Sequence, residues 1–374
     1  MSSQLSIFSK MSALAREYEA INLGQGFPDY ACDPKLLSSV TTALNSNHNQ
    51  YAPMMGVEKL RTAIANKLNS SYGCQIDATN VCMTAGATQG IFTAILSNLT
   101  SDDEVIIFEP AYDSYRPTLE QIGATVVPIE IDPPYNRLPW NRVGQAITEK
   151  TKMIIINSPH NPTGQVLEQA DLAALEELIR NKDIIVLSDE VYEHLIYDGK
   201  AHESLLKYPS LRKQGIAVYS FGKSLHATGW KLGYVVTTDQ LMKKFTAVHQ
   251  WNVFCVNSFV QHGIADYMND STVFDNIAPF LQTKRDFLIS GMESLGLKLL
   301  PCQGTYFALW DYSELSEQPD IAFAEYLVKE IGLATIPISP FISGEGSSQV
   351  LRLCFAKELS TLDQALDRLK KLSS

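Results

Sequence analysis

Residues 183–192 read Asp-Ile-Ile-Val-Leu-Ser-Asp-Glu-Val-Tyr, a short apolar run that ends in two carboxylates. Residues 152–159, Lys-Met-Ile-Ile-Ile-Asn-Ser-Pro, likewise form an apolar run that ends in polar residues. Helical periodicity separates several such runs, and this alternation indicates a mostly parallel sheet covered by helices on both faces. The predicted strands are 81–86, 104–110, 125–131, 152–159, 183–190, 216–221 and 232–238.

The pattern changes after about residue 270, where a long helical stretch precedes paired strands and an amphipathic helix that Ser360 and Thr361 begin. We expect an α/β large domain, residues 35–271, with a mostly parallel seven-stranded sheet between helices. Residues 1–34 and 272–374 are expected to form a smaller α+β domain. An eight-fold barrel would need strand–helix alternation to the end of the chain, which this sequence lacks.

Composition limits the classes of partner. The net charge of −11 disfavours a sequence-independent nucleic-acid binder. None of the six cysteines forms a C-x-x-C pair, which argues against a metal site. The apolar stretches are far shorter than the about 20 residues of a membrane-spanning helix, and the N-terminus lacks a signal-peptide pattern. We therefore expect a cytoplasmic protein without membrane, nucleic-acid or metal partners.

Ligands of open parallel sheets bind beyond the carboxyl ends of the strands, and five predicted strands end in chemically capable residues. These segments are Ala85-Gly86-Ala87-Thr88, Ala111-Tyr112, His160-Asn161-Pro162-Thr163-Gly164, Asp189-Glu190-Val191-Tyr192 and Ser220-Phe221-Gly222-Lys223-Ser224. A P-loop is excluded because position 217, where its first glycine belongs, is Ala. No G-x-G-x-x-G follows a predicted strand, which disfavours a dinucleotide-dependent hydride-transfer enzyme.

Lys223 and Asp189 together indicate a more specific chemistry. Alone, each is most often a surface or loop residue. Small residues flank Lys223, however, and a partly desolvated amine near another cation such as Lys231 has a lowered pKa and acts as a nucleophile or base. A lysine that forms a Schiff base and an aspartate that faces a pyridinium nitrogen are the two protein groups that pyridoxal phosphate requires.

Seven motifs occur in one order over nearly the whole chain. They are Asn-Leu-Gly-Gln-Gly-Phe-Pro-Asp (22–29), Gln-Tyr (50–51), Ala-Gly-Ala-Thr (85–88), His-Asn-Pro-Thr-Gly (160–164), Ser-Asp-Glu-Val-Tyr (188–192), Ser-Phe-Gly-Lys (220–223) with Gly-Trp-Lys-Leu-Gly (229–233), and Leu-Arg-Leu-Cys-Phe (351–355). On these motifs the sequence resembles the fold-type I, pyridoxal-phosphate-dependent aminotransferases of class I. It most resembles the branch of methionine aminotransferase and the kynurenine/glutamine transaminases.

The resemblance implies catalytic roles for Lys223, Asp189 and Tyr192. Lys223 would bind the cofactor covalently and, once freed, carry the proton of the substrate Cα. Asp189 would keep the pyridine nitrogen protonated, so that the ring accepts electrons. Tyr192 and Asn161 would hydrogen-bond the cofactor's 3-oxygen, and Tyr112 would stack on its ring.

The resemblance also implies a phosphate site at a helix start. The N–H groups of Ala87 and Thr88 would bind the phosphate, completed by Ser220, the Thr88 hydroxyl and Lys231. Gly86 stands where several relatives have serine. Lys231 stands where many have arginine, so a point charge replaces a bidentate fork.

Substrate and subunit contacts follow from the same resemblance. Arg352 lies in an apolar strand, where its charge needs either an internal salt bridge or a ligand, and the family match favours a clamp on the substrate's α-carboxylate. Asn161 and the Gly26 backbone would complete the substrate site, and Tyr51 would reach the phosphate of the neighbouring subunit in a homodimer. Aromatic and methionine residues expected near the substrate side chain are Phe8, Phe27, Tyr30, Met54 and Met55.

We therefore expect an aminotransferase that moves the amino group of methionine or an aromatic amino acid to a 2-oxo acid by a ping-pong route. Kynurenine or glutamine specificity is an alternative, and so is a carbon–sulfur β-lyase, which begins with the same proton abstraction. A noncatalytic binding module of this fold is expected to lose Lys223 or Asp189, and both are present.

Overall fold

The computed structural model describes residues 6–344 and 348–372. The strands of this part of the chain are β1 (Ile21–Asn22), β2 (Val81–Thr84), β3 (Glu104–Glu109), β4 (Thr125–Glu130), β5 (Thr151–Asn157), β6 (Ile185–Asp189), β7 (Gly215–Ser220), β8 (Gly233–Thr237), β9 (Lys298–Leu299), β10 (Phe307–Asp311), β11 (Leu333–Ala334), β12 (Ile336–Pro337) and β13 (Val350–Cys354). Its α-helices are α1 (Ile7–Glu17), α2 (Pro34–Asn45), α3 (Glu58–Tyr72), α4 (Gly86–Asn98), α5 (Tyr115–Ile122), α6 (Trp140–Ala146), α7 (Gln169–Ile179), α8 (Pro209–Lys213), α9 (Phe221–Ser224), α10 (Asp239–His249), α11 (Ser258–Tyr267), α12 (Ile277–Ser294), α13 (Asp320–Tyr326) and α14 (Leu359–Leu369). None of these helices has the length and apolarity needed to cross a lipid bilayer.

The main sheet has seven strands in the order β2-β8-β7-β6-β5-β3-β4. Its pairs are parallel except those of β8, which runs antiparallel to β2 and β7. Successive residues face two apolar cores: Ile154 and Ile156 belong to one, and Met153 and Ile155 to the other. Burial on both faces explains the uninterrupted apolar runs of the sequence. The predicted seven-stranded sheet is confirmed, and its open edges exclude a barrel.

The register brings several strand ends to one edge of the main sheet. Because β8 is antiparallel to its neighbours, its first residue, Gly233, pairs with the last residues of β2 and β7, Thr84 and Ser220. Asn157, the last residue of β5, pairs with Asp189, the last residue of β6. Side chains that follow these strands therefore meet at this edge.

A second structural unit contains the four-stranded antiparallel sheet β12-β13-β10-β9. The N-terminal strand β1 pairs in parallel with β11, Ile21 opposite Leu333. This pairing supports the proposed small domain of residues 1–34 and 272–374 beside a large domain of 35–271, a division that stays a prediction. Residues 1–5, 345–347 and 373–374 of that small domain lie outside the described residues.

The last helix begins one residue earlier than the sequence predicted. Its buried stripe, Leu362, Ala365, Leu366 and Leu369, is confirmed. Ser360 and Thr361 do not begin α14, however, because a residue remote in sequence binds its N-terminus. Asp29 accepts hydrogen bonds from the Glu358 N–H at 2.6 Å and the Thr361 hydroxyl at 2.8 Å.

Gly233→Ala tests how closely β8 and α4 approach each other. A Cβ atom at Gly233 would lie 2.5 Å from the Tyr219 carbonyl oxygen and 2.9 Å from the Ala87 nitrogen. Because both neighbours are backbone atoms, we expect overpacking to lower the free energy of unfolding by about 1–3 kcal/mol, measured by urea denaturation.

Gly229→Ala is the matched control, since no atom of the described residues lies within 4 Å of the Cβ position at Gly229. We expect this control to stay within about 0.5 kcal/mol of the parent chain. Equal stability of the two variants would contradict the close packing of β8 on α4.

Candidate active site

A cavity of about 240 Å³ lies at the edge of the main sheet where the strand ends meet. All the predicted site residues except Tyr51 line it. They are Gly26, Ala87, Thr88, Tyr112, Asn161, Asp189, Tyr192, Ser220, Lys223, Lys231 and Arg352. Arg352 reaches the cavity from β13 of the second sheet, so the cavity lies between the two units.

Tyr51 lies outside this cavity and is 85% exposed. It forms an edge contact with Phe254, with ring centroids 5.7 Å apart, and lines a separate surface groove. Lys231 lines both the groove and the cavity, so the two adjoin each other. Contact between Tyr51 and a neighbouring subunit stays a prediction.

One of the residues predicted near the substrate side chain, Phe8, lines the cavity. Phe27 and Met54 lie outside it. Tyr30 packs edge-on against a neighbouring phenylalanine ring, and Met55 packs against the apolar core beneath α4. Contacts within the chain thus explain the positions of the Tyr30 and Met55 side chains, and no ligand contact is needed.

Lys223 belongs to the short helix α9, which begins directly after β7. The side chain is partly buried, and its Nζ donates a hydrogen bond to Tyr306 Oη at 2.8 Å. Burial lowers the pKa of the Lys223 amine to about 8. A substantial fraction is therefore neutral near pH 8 and available as a base or nucleophile.

Asp189 is the last residue of β6 and is only 4% exposed. Its carboxylate accepts a hydrogen bond from the Tyr115 hydroxyl at 2.6 Å and a weaker one from the Val191 N–H at 3.3 Å. Burial outweighs these bonds and raises the pKa of Asp189 to about 6. A cation facing this carboxyl group would stabilise its ionised form.

Arg352 is 1% exposed and is held by neutral groups. Its guanidinium donates to Asn161 Oδ1 at 2.9 Å and to the Gly24 carbonyl at 3.1 Å, and it stacks over Phe307 with its Cζ 3.8 Å from the ring centroid. Its Nε has no hydrogen-bond partner, and it forms no ion pair within the described part of the chain. The internal salt bridge is thus not observed, and the buried cation suits an anionic ligand.

The N-terminus of α4 forms a second anion-binding position. The residue before the helix, Ala85, provides no side-chain cap, so the first N–H groups of the helix face the cavity without one. A Cβ atom at Gly86 would lie 3.4 Å from Lys231 Nζ, which places the ammonium beside the positive end of the helix dipole. Two like charges side by side favour an anion between them.

Tyr115, Tyr306 and Asn157 were not identified from the sequence. The Asn157 amide donates to the Asp189 carbonyl at 2.8 Å, and its oxygen accepts from the Asn161 N–H at 2.7 Å. The strand-end rule could have found Asn157, because it ends β5. No sequence signal marks Tyr115 or Tyr306, whose roles depend on contacts between distant segments.

A buried polar network supports the turn after β6 from behind. Glu190 accepts hydrogen bonds from the Tyr219 hydroxyl at 2.9 Å and the Leu205 N–H at 3.0 Å, and lies 2.9 Å from His202 Nε2. Lys67 forms an ion pair with Glu193, three residues further on. These contacts hold the segment that carries Asp189 and Tyr192.

The cavity combines an amine of lowered pKa, a buried carboxyl group and two anion-binding positions. Residues 18–369 match the family model described as aminotransferase class I and II. The chain belongs to this family. It is therefore an aminotransferase of fold type I, and the family, fold type and branch expected from the sequence are confirmed.

Individual relatives agree with this assignment. Methionine aminotransferase of Escherichia coli strain K12 is 42% identical over 98% of this chain and 95% of that protein. Kynurenine–oxoglutarate transaminase 1 of Rattus norvegicus is 32% identical over 98% of this chain and 95% of its own length. A solved Escherichia coli structure, described as having a methionine aminotransferase function, superposes with a TM-score of 0.96 over 99% of both chains at 42% identity.

Asp189→Asn tests the burial of this carboxyl group in the cofactor-free chain. Burial raises the pKa of Asp189 from an unfolded value near 4 to about 6, so the folded chain binds an extra proton between these values. The contribution of Asp189 to wild-type stability should therefore fall as pH rises from 4 to 6. At pH 8 the variant should be more stable by about 2–3 kcal/mol, a difference that vanishes near pH 4, by urea denaturation.

Asp102→Asn, at an exposed carboxylate, provides the control and should leave the pH dependence unchanged. Parallel stability curves for wild type and Asp189→Asn from pH 4 to 8 would refute the burial argument.

Proposed function

We propose that this aminotransferase uses pyridoxal phosphate to move the amino group of a large neutral amino acid, methionine or an aromatic one, to a 2-oxo acid. One observation carries the proposal: Lys223, Asp189 and Arg352 line the same cavity, and none of the three forms an ion pair with another described residue. Their charges therefore stay available to a cofactor and a substrate. The similarity to methionine aminotransferase supports the donor class.

The residues present fit pyridoxal phosphate. The uncapped start of α4 and Lys231 suit its phosphate, the Lys223 amine suits its aldehyde, and the buried Asp189 suits its protonated ring nitrogen. Ala87, Thr88 and Ser220 line the phosphate end of the cavity. When bound, this cofactor supplies an electron sink for the pair that remains when the substrate Cα loses its proton.

Lys223 acts as the base in this proposal. Its Nζ, with a pKa lowered by burial to about 8, would accept the proton of the substrate Cα and donate it to the cofactor carbon C4′. Asp189 would keep a proton on the ring nitrogen of the cofactor, and the Tyr115 hydroxyl orients the Asp189 carboxylate. Tyr192 and Asn161 would hydrogen-bond the 3-oxygen of the cofactor, and Tyr112 would cover its ring. The ring centroid of Tyr192 lies 5.7 Å from Lys223 Nζ.

Arg352 orients the substrate by its α-carboxylate. The two hydrogen bonds from its guanidinium, to Asn161 and to Gly24, leave Nε unpaired. A carboxylate would supply the missing opposite charge. Gly26 lies over this site, and its lack of a Cβ leaves room, since a Cβ would lie 2.5 Å from Phe307 Cζ.

The lining of the cavity favours a neutral substrate side chain. Phe8, Phe307 and Val191 provide apolar surface. The cations among the described lining residues are Lys223, Lys231 and Arg352, and each already has a role. A carboxylate on the substrate side chain would therefore lack a counterion, which costs binding energy.

A second copy of the chain completes the site in this proposal. Tyr51, Trp251 and Phe254 are 85%, 84% and 44% exposed, and the groove of Tyr51 adjoins the phosphate end of the cavity through Lys231. Exposed aromatic side chains in such number indicate an interaction surface. A homodimer would bury them and place Tyr51 at the neighbouring phosphate.

The predicted cytoplasmic location also stays a proposal. All six cysteines are free thiols, the form that a reducing compartment maintains.

A panel of amino donors tests the function. With added pyridoxal phosphate and several 2-oxo acids, kcat/KM for methionine or an aromatic donor should exceed that for aspartate by at least about tenfold. The reason is that the described residues lining the cavity offer no further cation for a second carboxylate. Formation of the product amino acid is measured by chromatography.

Lys223→Ala is the control and should lose at least about 100-fold in rate. A parallel assay follows pyruvate and ammonia released from cystathionine. Lyase activity without amino transfer would contradict the proposal in favour of a β-lyase. A preference for kynurenine or glutamine would replace the proposed donor class.

Trp251→Arg tests the dimer surface by sedimentation velocity. The wild-type chain should sediment at twice its 41.5 kDa mass, and the variant should shift towards monomer because a charge replaces an aromatic ring that the dimer would bury. Tyr18→Arg, at a 43% exposed tyrosine directly after the C-terminus of α1, should remain dimeric. A monomeric wild-type chain would rule out this surface as an interface.

A further inference from the structure

Tyr306 connects the reactive lysine to the segment that covers the substrate. It lies just before β10 and is fully buried. Its hydroxyl oxygen is 2.8 Å from Lys223 Nζ and 2.6 Å from the carbonyl oxygen of Gly26. The chain thus has a continuous path of hydrogen bonds from Lys223 to Gly26, residues that are far apart in sequence.

The direction of each hydrogen bond follows from the chemistry of the three groups. A carbonyl oxygen only accepts, and a phenol has one proton, so the Tyr306 O–H points to Gly26. The phenol oxygen then has only lone pairs to offer Lys223, and the lysine must donate. Burial raises the pKa of Tyr306 well above its ordinary value, so the phenol keeps its proton and this direction holds near neutral pH.

A fixed donor direction has a consequence for the amine. When Lys223 is neutral, one N–H points to Tyr306, and the nitrogen lone pair must point elsewhere. The rings of Tyr192 and Tyr306 lie 5.7 Å and 5.4 Å from Nζ, and the cavity lies on the open side. A base with its lone pair aimed into the cavity is oriented for a proton of the substrate.

We propose that Tyr306 is a positioning residue that orients the free Lys223 amine and couples it to the Gly24–Gly26 segment over the substrate. Gly24 accepts a hydrogen bond from Arg352 at 3.1 Å, and Gly26 accepts one from Tyr306 at 2.6 Å. One short segment therefore holds both the carboxylate clamp and the partner of the base. This inference rests on the proposed role of Lys223 and adds a residue to it.

Tyr306→Phe tests the proposal in the full-length chain without cofactor. Acetic anhydride labelling of Lys223, followed by mass spectrometry across a pH series, gives the midpoint at which the amine loses its proton. The phenol accepts from the charged ammonium, so its loss should lower this midpoint by about one unit from the wild-type value. The other charged or titratable groups near the amine, which the variant keeps, are Asp189, Tyr192, Lys231, Arg352 and Cys354.

Tyr312→Phe is the matched control. This tyrosine is also fully buried next to β10, but its hydroxyl donates to the Gln318 carbonyl at 2.8 Å, away from the cavity. It should leave the labelling midpoint of Lys223 unchanged. An unchanged midpoint in Tyr306→Phe, or an equal shift in both variants, would overturn the proposal.

Two further measurements separate orientation from folding and from the proposed function. If Tyr306→Phe does not fold, 3-fluorotyrosine at position 306 is the substitute, because it keeps the shape of the side chain and makes the phenol oxygen a weaker acceptor. The labelling midpoint of Lys223 must then still fall. In the loaded enzyme, Tyr306→Phe should lower kcat about tenfold and increase the isotope effect of α-deuterated methionine, whereas unchanged values would contradict the orienting role. If the wild-type chain transfers no amino group, the proposed function fails, and the labelling still tests Tyr306.

Discussion

The withdrawal of three charged groups from water is the constraint on which this site depends. Lys223, Asp189 and Arg352 meet at one cavity, where each unpaired charge costs up to several kcal/mol. The protein holds them with neutral partners: Tyr306 for the amine, Tyr115 for the carboxylate, and an amide and a carbonyl for the guanidinium. Opposite charges within the chain would have neutralised them and left nothing to attract a cofactor or a substrate.

The fold collects these groups from distant parts of the chain. The antiparallel strand β8 brings Gly233 against Thr84 and Ser220, so that α4 and α9 start side by side. The N-terminal segment then closes the cavity. It is tied to the second sheet through Gly24, to Tyr306 through Gly26, and to α14 through Asp29.

Support behind the site matters as much as the groups that face the cavity. Glu190 and Glu193 flank Tyr192 and are buried among hydroxyl, amide and cationic partners. They hold the turn that presents Asp189 and Tyr192 in place. Gly86 also helps to shape the site. Because it has no side chain, the long cationic side chain of Lys231 can lie close to the start of α4.

The sequence alone predicted the seven-stranded sheet, because strands buried on both faces require apolar runs. It also indicated the family through its motifs, and it identified the strand-end residues that line the cavity, because ligands bind where parallel strands end. Tertiary structure alone decided that Arg352 forms no ion pair with the described residues, that Asp29 binds the start of α14, and that Tyr115 and Tyr306 hold Asp189 and Lys223. Tertiary packing also places Tyr30 and Met55 outside the cavity. The reason is physical: local pattern fixes which face a residue presents, whereas hydrogen-bond partners and the loss of water depend on segments that meet only when the chain is folded.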